Sequence, residues 1–124
     1  MNINKNLMKY IDKFIECGKI CTDAKFSGDY KSNNKAYKRM FKILDIAKDS
    51  EDAEKFYLTI LKRTDDPITL INCCSHMLKL QIQPELARKT LEEIRDSNEI
   101  HPFFSSEARI YLQEWDKGSI KRLK

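Results

Sequence analysis

Apolar residues recur every three or four positions along most of the chain, which is the spacing that gathers them on one face of an α-helix. Short polar segments with capping residues or helix breakers separate these stretches. We expect six helices, at residues 4–25, 30–48, 51–63, 67–80, 84–97 and 105–117. The pattern therefore predicts an all-α fold.

Each predicted helix has an apolar stripe that we expect to be buried. On the second and fifth helices these stripes are Ala36, Tyr37, Met40, Phe41, Leu44 and Ala47, and then Leu86, Ala87, Leu91 and Ile94. The charged residues of the same helices fall on the opposite side, where we expect water.

Capping residues mark several helix ends. Asp66 is placed as an N-cap with Pro67 as the first helical residue, where the missing proline N–H costs nothing. Asp49 or Ser50 is expected to cap the third helix, and Gly118 to end the last one in the left-handed conformation.

The connections are short, so we expect successive helices to pack as antiparallel hairpins. Residues 50–80 and 84–117 form two such hairpins of similar length, which suggests a degenerate repeat. We therefore expect a short HEAT-like α-solenoid with the first two helices as a capping unit. Residues 1–118 would be a single helical domain and residues 119–124 a short basic tail.

Composition agrees with one globular domain of 124 residues, because 41% of them are hydrophobic and 34% charged. Three glycines and three prolines are too few for the turns of a β-sandwich. No apolar run approaches the roughly 18 residues of a membrane span, and charges interrupt the first apolar positions. We expect a cytoplasmic protein that has no membrane anchor or secretion signal.

The cysteines fit a reduced protein. Cys17 and Cys21 are one helical turn apart and Cys73 and Cys74 are adjacent, so we expect packed thiols rather than disulfides. His76 follows the second pair, but adjacent side chains diverge by about 100° on a helix. We therefore expect a surface histidine, no metal site and no cofactor.

Catalytic motifs are missing from the sequence. There is no glycine-rich phosphate loop, no Ser-His-Asp arrangement and no dinucleotide fingerprint. His101 precedes Pro102 in a predicted loop, and the pairs Asp65–Asp66 and Glu92–Glu93 are explained by capping and solvation. We expect a protein that is not an enzyme and has no catalytic residues.

The net charge of +4 is unevenly distributed. Residues 1–48 have eleven Lys and Arg against five Asp and Glu, whereas residues 49–100 have seven against eleven. The basic residues crowd the second helix and the tail, at Lys31, Lys35, Lys38, Arg39 and Lys42, and at Lys121, Arg122 and Lys124. The acidic middle offers Glu51, Asp52, Asp65, Glu92, Glu93 and Asp96.

A third candidate surface follows from the solenoid prediction, in which the second helix of each pair lines one side. Polar residues recur at helical spacing on the fourth and sixth predicted helices, at Thr69, Asn72, His76 and Lys79, and at Arg109, Gln113 and Asp116. We expect them to form a solvent-facing polar ridge that binds a partner.

One stretch resembles the HEAT-like repeat pattern, and two others resemble a family of small bacterial HEAT-like proteins of unknown function. They are residues 61–68 (LKRTDDPI) with Cys73, Cys74 and Leu78; residues 84–94 with Ala108, Leu112, Trp115 and Gly118; and residues 33–37 (NNKAY). Members of such families look like immunity proteins of secreted or contact-delivered toxins. The resemblance therefore implies a chain that binds and neutralises a cognate toxin domain, and it brings no catalytic residues with it.

Several alternatives remain open. A nuclease toxin with a basic cleft would dock on the acidic middle, and a toxin with an acidic surface would dock on the second helix. The competing function is a nucleic-acid-associated adaptor that uses Lys35, Lys38, Arg39 and Lys42, and a structural subunit of a larger assembly is a third. We expect a monomer when free, with a protein partner favoured over nucleic acid because lysine greatly outnumbers arginine.

Overall fold

The computed structural model describes residues 5–122, and in that part the chain forms six helices and no strand. They are α1 (Lys5–Ser27), α2 (Tyr30–Lys48), α3 (Ala53–Arg63), α4 (Pro67–Leu80), α5 (Pro84–Asp96) and α6 (Pro102–Asp116). The predicted all-α fold is confirmed. The expected start of the first helix at Asn4 and the last two tail residues lie outside the described range.

Helix ends match the prediction where a strong capping signal exists. α2 and α4 begin and end at the predicted residues, and Gly118 has a φ of 79° as expected of a left-handed cap. α6 begins three residues early, because Pro102 takes its first position and His101 Nδ1 accepts a hydrogen bond from Phe103 N at 3.1 Å.

The start of α3 differs from the prediction, whereas α5 begins at Pro84 as predicted. The N-cap of α3 is Asp52, not Asp49 or Ser50, and Ser50 Oγ accepts from Asp52 N at 3.0 Å within the preceding turn. At α5 the cap position holds Gln83 with a φ of 43° and no side-chain cap. The expected Asp49 or Ser50 cap is therefore wrong.

The chain divides into two compact units, Met1–Thr69 and Leu70–Lys124. The first contains α1, α2, α3 and the first turn of α4, and the second contains the rest of α4 with α5 and α6. The single domain over residues 1–118 and the solenoid arrangement remain predictions.

The core of the first unit lies where α1 packs along α2 and against α3. Its largest fully buried side chains come from all three helices, and the rings of Phe14 and Phe56 meet edge to face at 6.2 Å. In the second unit α5 packs on α6, and Ala87, Leu91 and Ala108 are fully buried there.

Two apolar residues predicted to be buried are exposed. Phe41 is 49% exposed and Leu86 is 40% exposed. Phe41 lies at the edge of the α2 stripe, where its ring stacks on Tyr37, while Ile43 takes the buried position instead. On this side of α2 the predicted apolar stripe therefore includes one residue, Phe41, that lies outside the buried face.

α1 approaches α4 very closely at Gly18. A Cβ on Gly18 would overlap Thr69 Oγ1 and would lie 2.8 Å from Thr69 Cβ and 3.1 Å from Thr69 Cα. Thr69 is fully buried, so its side chain fills the space that the absent Gly18 Cβ leaves.

Asp66 connects the same two helices through hydrogen bonds. Its Oδ2 accepts from Thr69 N at 3.0 Å, from Thr69 Oγ1 at 2.8 Å and from Thr22 Oγ1 on α1 at 2.9 Å. The predicted N-cap is therefore confirmed, and this carboxylate also satisfies two hydroxyl groups.

Gly18→Ala should destabilise the protein by about 1–3 kcal/mol, because the added methyl group meets the α4 backbone as well as a side chain. Chemical denaturation followed by circular dichroism measures this change. The Gly18→Ala/Thr69→Ala double variant should lose less than the sum of the two single variants, because Thr69→Ala removes the nearest clashing atom. A Gly18→Ala protein at least as stable as the wild type would contradict the close approach.

Asp66→Ala should cost about 1–3 kcal/mol, since it removes a helix cap and leaves the Thr22 and Thr69 hydroxyls without their acceptor. Asp65→Ala is the matched control, because Asp65 is an exposed neighbour of the same charge. It should change the free energy of unfolding by less than about 0.5 kcal/mol. Equal losses of stability in the two variants would show that the negative charge of Asp66, and not its hydrogen bonds, stabilises the protein.

Candidate functional site

α2 has a row of exposed cations that form no ion pair within residues 5–122. Lys31, Lys35, Lys38, Arg39 and Lys42 are all exposed and have no ion-pair partner within residues 5–122. Asp45 is the only acidic residue of this helix, and its carboxylate pairs with Lys48 at 3.3 Å. The charge of these five side chains is therefore available to a partner.

Three aromatic residues of the same helix lie on the neighbouring side, roughly a quarter turn around α2 from the row of lysines by their spacing. Tyr30 is 77% exposed and Phe41 49% exposed, and the rings of Tyr37 and Phe41 stack at 6.0 Å with an interplanar angle of 21°. Lys25 Nζ lies 5.3 Å from the centroid of Tyr37. We call these three rings and the five cations the basic–aromatic face.

A cleft of about 200 Å³ borders this face where α2 packs on α1. Lys35 and Arg39 line it together with the buried Cys17 and Ala36. The exposed Ile20 adds an apolar side. The cleft therefore combines an apolar lining with two cations that have no ion-pair partner within residues 5–122, and with the Glu16 carboxylate.

The turn before α2 fixes where this face begins. Asp29 caps the helix, with its Oδ1 accepting from Ser32 N at 3.1 Å and its Oδ2 from Ser32 Oγ at 2.7 Å. Both hydrogen bonds lower the pKa of the Asp29 carboxyl, and the bond from the Ser32 hydroxyl has the larger effect. Gly28 precedes it with a φ of 77°, a conformation that favours glycine. The short turn thus leads directly into a well-capped helix.

The predicted acidic surface is partly neutralised in the first unit. Asp52 lies 3.7 Å from the Lys55 ammonium group, while Glu51 and Asp65 are exposed. Among the described residues, Asp52 is therefore the one member of these three that forms an ion pair.

The same surface is neutralised further in the second unit. Glu92 pairs with Arg88 at 3.2 Å and Asp96 with Arg95 at 2.7 Å, while Glu93 is exposed. Over both units, three of the six predicted acidic side chains therefore form an ion pair within residues 5–122.

The predicted polar ridge is wrong at two of its positions. Thr69 is fully buried against Gly18, and His76 is only 7% exposed. Helical spacing placed both on a polar side of α4, but that side is covered by other parts of the protein. The expected surface histidine is wrong for the same reason.

The other ridge residues are accessible to differing degrees. Asn72 and Lys79 are half-buried, whereas Arg109 and Gln113 on α6 are exposed. The ridge as predicted does not form one continuous exposed surface on α4.

Asp116, the last ridge residue, is engaged by an arginine of α5. Its two carboxylate oxygens accept hydrogen bonds from Arg88, both at 2.9 Å. These hydrogen bonds lower the pKa of Asp116. A partner would therefore have to compete with Arg88 for this carboxylate.

The four thiols are buried and unlinked. Burial raises the pKa of Cys21 to about 11 and that of Cys74 to about 12. It also raises the pKa of Cys17 and, more strongly, that of Cys73. Few thiolates exist at neutral pH under these conditions, so these cysteines are poor nucleophiles.

Neither metal binding nor membrane crossing is indicated by the described residues. Within residues 5–122 no group of three His, Cys, Asp or Glu side chains is arranged to hold a metal ion. None of the helices in that range has the length and apolar character required to cross a membrane.

Comparison of the chain with protein-family models, with curated proteins and with solved structures gives no match in any of the three. The candidate site therefore depends on its own geometry. Of the surfaces that the sequence suggested, the structure brings together most completely the cations of α2, at Lys35, Lys38, Arg39 and Lys42.

The rings of the basic–aromatic face were not predicted to belong to a site. Tyr37 and Phe41 were assigned to the core, and Tyr30 was treated only as the start of a helix. Their spacing of seven and four residues places them on one side of α2, next to the apolar stripe. This spacing is the sequence signal from which the aromatic side of α2 could have been predicted.

A thiol reagent at pH 8 should react slowly with the native protein and rapidly with all four thiols of the unfolded chain. At a pKa of about 11 roughly one thiol in 1,000 is ionised at this pH, against about one in four for a free cysteine. Because the native pKa values are raised, the thiols should also make stability fall as the pH rises above about 9. One native thiol reacting at the unfolded rate would contradict this burial.

Proposed function

We propose that this chain is a binding protein that acts by forming a stoichiometric complex with another macromolecule, and that the basic–aromatic face is its docking surface. The observation that carries the proposal is the set of five exposed cations without ion-pair partners in residues 5–122, beside exposed rings on one helix. Unpaired charge speeds encounter with an acidic surface, and aromatic side chains supply buried contact area once it is reached.

The proposed partner is a cognate protein toxin, which the chain neutralises by covering its active site or a surface on which that site depends. The support for this partner is the resemblance of residues 61–68, 84–94 and 33–37 to small HEAT-like proteins that look like immunity proteins. Lys38 and Lys42 would meet an acidic region of the toxin, and the cleft beside Lys35 and Arg39 would take one of its side chains.

Nucleic acid is the second candidate partner, favoured by one specific observation. Tyr30 and Phe41 expose their rings beside lysines, an arrangement on which single-stranded bases can stack while phosphates meet the cations. Four of the five cations are lysines, however, and only Arg39 can grip a phosphate with two parallel hydrogen bonds. A protein partner therefore remains the primary proposal.

Co-expression with the product of the neighbouring gene should give a 1:1 complex in size-exclusion chromatography and restore growth to cells in which that product is toxic. The triple variant Lys35→Glu/Lys38→Glu/Lys42→Glu should weaken the complex by about 100-fold or more, because three attractive contacts become repulsive. Calorimetry or surface plasmon resonance measures the affinity.

The matched control is Lys9→Glu/Lys62→Glu/Lys89→Glu, which changes the net charge equally at exposed lysines outside α2. It should leave the affinity within about threefold of the wild type at physiological ionic strength, because charges beyond a Debye length of about 8 Å are screened. Equal losses in the two triple variants would refute the α2 docking surface, and a chain that binds no adjacent toxin domain would refute toxin neutralisation.

A labelled single-stranded RNA of about 20 nucleotides, longer than one ordinary single-strand binding site, distinguishes the second candidate. The nucleic-acid proposal expects log affinity to fall linearly with log salt, and Phe41→Ala to weaken binding by about 1–3 kcal/mol. Toxin neutralisation expects at most weak binding at low salt, which Phe41→Ala leaves unchanged and which physiological salt abolishes. Phe41 is exposed, so its substitution tests stacking with little effect on the core.

A further inference from the structure

A second cleft, of about 360 Å³, lies in the second unit between the end of α5 and the beginning of α6. Its polar lining consists of Arg95, Ser97, Asn98, Ser105, Ser106 and Arg109. No carboxylate is among its lining residues in the described part of the chain. The cleft therefore presents two guanidinium groups, one amide and three hydroxyls, an environment that suits an anion.

The donors of this cleft are only partly used within the protein. Arg109 is exposed and has no ion-pair partner within residues 5–122, and the side chains of Asn98 and Ser106 have no hydrogen-bond partner there. Ser105 Oγ donates to Ser97 O at 3.2 Å. Ser97 Oγ only accepts a hydrogen bond, from Glu99 N at 3.2 Å, so four of the six polar side chains keep their full donor capacity within the described residues.

Arg95 is held by an acidic neighbour outside the cleft lining. Its Nε and a terminal nitrogen donate to the two carboxylate oxygens of Asp96, at 2.7 and 2.9 Å. This contact lowers the pKa of Asp96 and raises that of Arg95. Asp96 thus occupies Arg95 with the same fork geometry that a phosphate oxygen pair would use.

We propose that this cleft binds the phosphate group of a small phosphomonoester, with Arg95 and Arg109 as its cationic ligands and Asn98 and Ser106 as additional donors. A phosphate offers three equivalent oxygens, which suits more donors than the two oxygens of a carboxylate can accept. The cleft is larger than a bare phosphate needs, and Ile100 and Pro102 give the organic group of the ester an apolar surface.

The site is separate from the basic–aromatic face. It belongs to α5 and α6, whereas the docking surface proposed above belongs to α2. Arg109 and Asp96 were both suggested by the sequence as partner-binding residues, but their position beside this cleft gives them different roles. Arg109 binds the ligand, and Asp96 competes with it for Arg95.

Phenyl phosphate is the probe, titrated into ¹⁵N-labelled protein and followed through the amide signals of residues 95–109. We expect saturable shifts there, and weaker binding of inorganic phosphate and of benzoate. Arg109→Gln should weaken the binding of phenyl phosphate by about tenfold, because one charge-assisted contact is lost. Asp96→Asn should strengthen it by about threefold or more, since it frees Arg95 with little change in shape.

Lys89→Gln is the matched control, because it removes one positive charge from an exposed position of α5 outside the cleft lining. It should bind phenyl phosphate like the wild type, and so should the α2 triple variant, which separates this proposal from the proposed function. Absence of saturable shifts, or Arg109→Gln and Asp96→Asn proteins that bind like the wild type, would overturn the phosphate site.

Discussion

The contact between Gly18 and Thr69 sets how closely α1 and α4 approach each other in the first unit. Because glycine has no Cβ, α1 comes close enough to α4 for the Thr69 side chain to fill the vacant space. The Asp66 carboxylate accepts hydrogen bonds from both sides of this crossing, from Thr22 and from Thr69. α2 packs along the same α1, so the orientation of the basic–aromatic face depends on the helix that this crossing holds in place.

The distribution of paired and unpaired charge decides which surfaces remain available to a partner. Acidic groups of the second unit are engaged by arginines, as in the fork of Arg88 on Asp116 and that of Arg95 on Asp96. The cations of α2 have no such partners in the described residues. Exposed ion pairs contribute little to stability, so these differences matter mainly for binding. The α2 cations that lack partners in the described residues support the functional proposal, and Arg109, which also lacks an ion-pair partner there, supports the phosphate proposal.

Sequence patterns predicted the helices well where local signals were strong. The Asp66–Pro67 signal located the start of α4 to the residue, and both ends of α2 lie where the sequence placed them. The start of α6 was placed three residues late, because a histidine cap was not considered, and Phe41 was assigned to the core because a stripe read from periodicity has no sharp edge. Of the candidate sites, the cations of α2 were found from sequence alone, whereas the rings beside them and the cleft next to Arg109 were not.

The amino-acid sequence by itself determined the all-α class, the number of helices and most of their ends, because helix periodicity and capping are local interactions between residues a few positions apart. Only the tertiary structure decided that Thr69 and His76 are buried and that Phe41 is exposed. Burial depends on which neighbour covers a given helix face, and that neighbour is distant in sequence, as Gly18 is from Thr69. The same holds for ion pairing: the sequence shows that Asp116 and Arg88 are charged, but only the packing of α6 on α5 brings them together.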